Sequence, residues 1–151
     1  MQTFLPVPSF VRSASLLDYR RLGKQRVEAY QIIRILTGVS NARGWTTHPA
    51  VKMWDGYSPL LMSYFNACVD EWVRRGYKNT MSKYNIGEIP FCPLPWWHGD
   101  EEFHKSHQSN LVRKDPEFYS VRFPGVPPDL PYLWPENETR TFRVIESKSK
   151  K

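Results

Sequence analysis

Cysteine is nearly absent. Cys68 and Cys92 are the only two in 151 residues, too few for a disulfide framework, a zinc ribbon or an iron–sulfur site, and suited to a reduced, cytoplasmic setting. No apolar run approaches the ~20 residues that a membrane-spanning helix needs, so no membrane partner is expected. The opening MQTFLPVPSF has neither the basic n-region nor the apolar h-region of a secretory signal. A glycine-rich phosphate loop, a nucleophile elbow and internal repeats are also missing. Membrane, secreted-knot and zinc-finger readings are set aside.

What the chain does have is one domain's worth of ordinary globular chemistry, with 40% hydrophobic and 24% charged residues. Aromatic residues reach 15%, with six Trp and eight Tyr, and the 13 Pro fall mostly in the second half. Lys and Arg outnumber Asp and Glu by 21 to 15, giving +6 and a pI near 9.4. Such a balance suits a polyanion, because each neutralised phosphate releases counterions.

Periodicity points to an all-α fold, a single compact domain of about three main helices joined by long Pro- and aromatic-rich loops, spanning 1–146 with a basic tail at 147–151. The first helix is expected over 13–38, with Leu22, Ala29, Ile33 and Leu36 in one narrow sector. Arg20, Arg21, Lys24, Glu28 and Gln31 face the other way. Gly23 inside it costs about 1 kcal/mol against Ala, which points to a close approach there. Residues 41–49 read as a loop and 50–55 as one or two helical turns. Ser58-Pro59 starts a second long helix that runs to Arg75 and stops at Gly76, with Leu61, Phe65, Cys68 and Trp72 on one face. Residues 79–99 read as irregular, 100–114 as a third helix, 116–119 as a further turn and 124–135 as an extended segment packed on the domain. No sheet is expected.

Three constellations bear on chemistry. His104-x-x-His107 places two imidazoles one helical turn apart; the pair reads as polar surface, a phosphate contact or, with a third ligand, a metal site. Glu28 is a lone carboxylate among Arg20, Arg21, Lys24, Arg26 and Arg34. It reads either as a helix-surface ion pair with Lys24 or as an acid/base within a phosphate-binding face. Arg113 and Lys114 close the third helix, either complementing its dipole or clamping phosphate. With Arg43, Trp45, Trp96 and Trp97 on loops, the chain offers cations and flat rings together, suited to a nucleic-acid backbone and its bases unless the Trp fill the core.

In order along the chain, three stretches resemble the pyrimidine-dimer DNA glycosylases, the small phage endonuclease V type and its bacterial relatives. Leu17 and Leu22, with Glu28 six residues on, are similar to that family's first helix and its catalytic glutamate. Gly44-Trp45-Thr46-Thr47-His48-Pro49 followed by Met53-Trp54 resembles the next loop and short helix, and Glu71-Trp72-Val73-Arg74-Arg75-Gly76-Tyr77 the end of the second helix. The likeness covers the first half well and the remainder by order alone. It implies a metal-free enzyme without cofactors that acts on double-stranded DNA as a monomer. In such enzymes an N-terminal α-amine attacks C1′ of the deoxyribose and displaces the damaged base, and the glutamate assists ring opening and proton transfers before β-elimination nicks the strand. Chemistry on a nucleotide inside the stack requires its extrusion.

The site this implies has Met1 and Glu28 as catalytic residues, with Arg20, Arg21, Lys24, Arg26, Arg43, Trp45, His48, Arg113 and Lys114 as DNA contacts. Gln2 is a poor context for removal of the initiator Met, so the nucleophile is expected to be the amine of Met1 itself. Arg26-Val27 stands where the family has an aromatic–Arg pair before the glutamate, which leaves the choice of lesion open. The helix also starts later than in the phage enzyme, so the N-terminal arm is expected to be slack. Two other readings stand beside the glycosylase: a silent nucleic-acid-binding module on the same scaffold, and a metal-dependent nuclease using His104 and His107.

Overall fold

The helix expected over 13–38 is two helices. In a computed structural model, which describes residues 1–40 and 46–146, α1 (Phe10–Leu16) and α2 (Tyr19–Leu36) are separated at Leu17 and Asp18. Leu17 is extended and fully buried, while the Asp18 carboxylate caps α2 by accepting the Arg21 N–H. The apolar period continues across the break, but an Asp at this position satisfies an orphan donor of the second helix and so favours a new start. Arg75 closes the end of α1 from across the fold, donating to the carbonyls of Ser15 and Leu17 at 3.1 and 2.7 Å.

After α3 (Pro49–Lys52), α4 (Ser58–Arg74) runs to Gly76, whose φ of 89° ends it. A 3-10 turn (Ile86–Glu88) interrupts the irregular stretch, and α5 (Glu101–Lys114), capped by Asp100, leads into α6 (Pro116–Tyr119). α2 packs chiefly on α4, and Gly23 lies against Trp72, whose ring a Cβ there would meet at 3.0 Å. Trp54, Trp97, Tyr64, Phe65 and Phe103 are fully buried, with Trp54 and Trp97 edge to face at 5.0 Å. Cys68 belongs to the same core. Trp97 is therefore closed to any ligand, and Trp96 is half-buried, donating to Asn137 at 2.9 Å and lying against Phe142.

The expectation of no sheet is corrected by a small antiparallel hairpin. β1 (Tyr132–Glu136) pairs with β2 (Thr141–Ile145) so that Trp134 faces Arg143 and Glu136 faces Thr141. The prolines around β1 hide it, but Thr141, Phe142, Val144 and Ile145 are strand-forming residues after a polar turn in which Arg140 takes φ 53°. β1 lies against α5 and α3. The fold is mainly helical with this one minor sheet, and among the described residues no helix is long and apolar enough to cross a membrane.

The Asp18 cap also ties α6 to α2. The Tyr119 hydroxyl accepts the Asp18 N–H at 2.9 Å and donates to the Asp18 carboxylate. Burial pushes the Asp18 pKa up, but the hydrogen bonds from Tyr119 and Arg21 and the charge of Arg21 outweigh it, and the carboxyl sits below its ordinary value. A group depressed in this way contributes stability that is complete above its unfolded pKa of about 3.9 and is lost as pH falls through the folded value. Stability should therefore decline on acidification below about pH 4. Tyr119→Phe should cost about 1–3 kcal/mol near neutrality and flatten that acid limb. Chemical denaturation from neutral to acid pH checks both, and an unchanged limb in the variant would separate Asp18 from the effect.

Candidate active site

The N-terminal arm is not slack. Residues 2–6 run through the fold as neither helix nor strand, with Thr3, Phe4, Leu5 and Pro6 buried. A buried segment outside helix and sheet must find other partners for its peptide groups. Here side chains supply them. Gln25 on α2 accepts the Phe4 N–H at 2.7 Å and donates to the Gln2 carbonyl at 2.8 Å. Tyr64 on α4 donates to the Phe4 carbonyl. On α5, His107 Nδ1 accepts the Leu5 N–H at 2.9 Å, His104 Nδ1 meets the Leu5 carbonyl at 2.7 Å, and Gln108 donates to the Pro6 carbonyl at 2.7 Å. The Trp54 indole donates to the Thr3 hydroxyl at 3.0 Å.

This corrects the surface reading of His104 and His107, which are 4% and 1% exposed and occupied with backbone. Among the described residues no three or more His, Cys, Asp or Glu gather as a metal site. Burial, helped by the neighbouring His104, pushes the His107 pKa down to about 3.

The arm ends at Glu28. The Gln2 N–H donates to Glu28 Oε2 at 2.9 Å, while Lys24 Nζ lies 3.8 Å from Oε1. Both readings of Glu28 thus have a physical partner, but they differ in burial. The Glu28 side chain is 16% exposed and that of Lys24 is 76% exposed, so the ion pair is weak and the contact with the arm is sheltered.

Around this point lies a cleft of about 470 Å³. Its α2 floor presents Arg20, Arg21, Lys24, Gln25 and Glu28, spaced to lie on one side of the helix. Met1, Gln2 and Phe4 come from the arm, His48 from the N-cap of α3, Lys114 from the end of α5, and Tyr132 and Trp134 from β1. Four cationic side chains and one carboxylate line it, a distribution that raises the local concentration of an anion. The His48 Nδ1 accepts the Ala50 N–H at 3.0 Å. Burial lowers the His48 pKa, and the ammonium of residue 1 pushes the same way against the opposing pull of Glu28. Burial likewise raises the Tyr132 phenol pKa.

Of the residues expected at the site, Met1, Glu28, Arg20, Arg21, Lys24, His48 and Lys114 share this cleft. Arg21 is also held from behind by Asp18 at 3.1 Å. Arg113 does not line the cleft; it lies over the Tyr132 ring at 6.0 Å and bonds Asn110. Arg26 points elsewhere, stacked on Trp72 at 4.1 Å and bonded to Asn79 at 2.7 Å. Arg43 and Trp45 lie outside the described residues. Gln25, Tyr132 and Trp134 were not expected there. A polar side chain bordering the apolar sector of α2 was the available signal for Gln25; the rings of 132 and 134 gave only a packing signal.

The sequence model of one protein family, described as pyrimidine dimer DNA glycosylase, matches residues 1–85. That stretch holds the arm, α1 to α4 and the floor of the cleft, while Lys114, Tyr132 and Trp134 lie beyond it. No curated protein and no solved structure matches the chain. With more than half of its length matched, the chain belongs to the pyrimidine dimer DNA glycosylase family.

Proposed function

We propose that this protein is a DNA repair glycosylase with an associated abasic-site lyase activity, acting on pyrimidine-dimer-like or otherwise modified bases in double-stranded DNA as a monomer. The observation that carries this reading is the 2.9 Å contact between the nitrogen of Gln2 and Glu28 at the bottom of a cationic cleft, which brings the start of the chain to a sheltered carboxylate. The nucleophile is the N-terminal amine, that of Met1 or, where Met1 is removed, that of Gln2.

The amine lone pair attacks C1′, and the base departs with the electron pair of the glycosidic bond and takes up a proton. The nitrogen gives one proton to Glu28. The C1′–O4′ bond then opens, O4′ receives that proton, and a protonated imine remains. Loss of a proton from C2′ expels the 3′ phosphate, which cuts the strand, and water hydrolyses the imine to free the enzyme. Glu28 acts as a proton carrier over a short distance, which is within the range of general acid–base catalysis. Arg20, Lys24 and Lys114 offset the phosphates of an approaching strand, and the rings of Tyr132 and Trp134 offer an extruded base an apolar wall.

Borohydride should trap the chain covalently on a duplex carrying one abasic site, in the presence of chelator, with the cross-link mapping to the α-amine. Tight binding without a cross-link would replace this reading with a silent DNA-binding module, and loss of cleavage with chelator would favour a metal-dependent nuclease. Glu28→Gln keeps an acceptor for the Gln2 N–H, so it should preserve the fold and DNA affinity while lowering strand cleavage by about 10²-fold or more; undiminished cleavage would remove Glu28 from the mechanism. Arg20→Ala and Lys24→Ala should each reduce the slope of log affinity against log salt by about one, whereas Arg26→Ala should leave the slope alone and lower stability. Anisotropy titrations over a salt series distinguish these outcomes.

A further inference from the structure

The His104-x-x-His107 pair holds no phosphate or metal in the reading above, yet its two rings meet both polar groups of a single residue of the arm. The hydrogen bonds fix what each ring does. His104 Nε2 accepts the Gly99 N–H at 3.0 Å, so in the neutral ring Nδ1 carries the proton and donates to the Leu5 carbonyl at 2.7 Å. His107 Nδ1 accepts the Leu5 N–H at 2.9 Å, so its proton is on Nε2, and that buried nitrogen has no hydrogen-bond partner. The same type of side chain, one helical turn apart, is thus present in opposite tautomers. One matches the donor and the other the acceptor of the same peptide residue. Gln25, 2% exposed, grips the arm again at Gln2 and Phe4.

We propose that His104 and His107, together with Gln25, form a register clamp on the arm and act as positioning residues for the N-terminal nucleophile. The inference rests on the lyase reading given above. Leu5 lies three residues from Gln2, whose nitrogen touches Glu28. A slip of the arm by one residue would move the amine by about 3.3–3.6 Å, several times the misplacement of about 1 Å that costs roughly a hundredfold in rate. Fixing both the N–H and the C=O of Leu5 opposes that slip: a shift in one direction sets Pro6, which has no N–H, against His107 Nδ1, and a shift in either direction breaks the Gln25 contacts with Gln2 and Phe4. An aliphatic residue at 107 would fill the space and leave the Leu5 N–H without an acceptor.

The test compares His107→Leu with His107→Asn, whose Oδ1 can stand in for Nδ1. At saturating abasic duplex, His107→Leu should slow single-turnover borohydride trapping by at least about 30-fold with Kd changed less than about threefold, and His107→Asn should return the rate to within about threefold of the unmodified chain. If His107→Leu does not fold, Gln25→Met, nearly isosteric and unable to make either contact, is read by the same assay. Trapping at the unmodified rate in these variants overturns the clamp. So does an asparagine variant as slow as the leucine one, or a loss of rate that only follows a loss of binding and of melting temperature. If the unmodified chain itself forms no cross-link, the lyase reading has failed, and the clamp falls with it.

Discussion

A segment that is neither helix nor strand passes through the core of a helical protein, and its peptide groups have to be satisfied there. A helix satisfies its own backbone and a sheet satisfies it by neighbours, but residues 2–6 have neither recourse. Three helices contribute polar side chains to them instead, Gln25 and Glu28 from α2, Tyr64 from α4, and His104, His107 and Gln108 from α5, while Trp54 after α3 holds the Thr3 hydroxyl. The buried Ser109 and Asn110 of α5 do the same for a different stretch: Ser109 accepts the Leu130 N–H at 2.9 Å and donates to the Pro127 carbonyl, and Asn110 donates to the Leu130 carbonyl. Because the arm touches every main helix, the placement of its end at Glu28 depends on the packing of the whole domain.

The electrostatics of the cleft follow from the same arrangement. α2 turns one side to the core and the other to the cleft, so Arg20, Lys24 and Glu28 sit along a single stripe. The carboxylate is set inward, against the arm, and Lys24 stands outward toward solvent. A carboxylate placed at the rim would repel phosphate. Placed at the floor, it acts on a short-range partner while the longer-range field of the cleft stays positive.

Much of the helical framework was legible in local sequence signals. Ser58-Pro59 and Gly76 bracketed α4, Asp100 and Pro116 framed α5 and α6, and the polar stripe of α2 singled out Glu28 among its cations. Local signals failed where the deciding partner is remote. The interval at Leu17 and Asp18 keeps an apolar period and is broken by a cap that Tyr119 supports from 101 residues away. The arm looked slack because the residues that grip Leu5 lie 99 and 102 positions along the chain. The hairpin was hidden by prolines in and around its first strand, and with it Tyr132 and Trp134 as walls of the cleft. Arg26 shared the charge of the stripe but not its direction, which the helical angle could have revealed.

The seating of Gln2 on Glu28 also governs how this protein can be handled. The chain enters the cleft at Met1, which lines it, so residues attached before Met1 would have to leave through the cleft. An affinity tag or fusion partner at that end would fill the cleft and replace the free amine with a peptide bond. The same addition after the hairpin leaves the arm, its clamps and the carboxylate untouched.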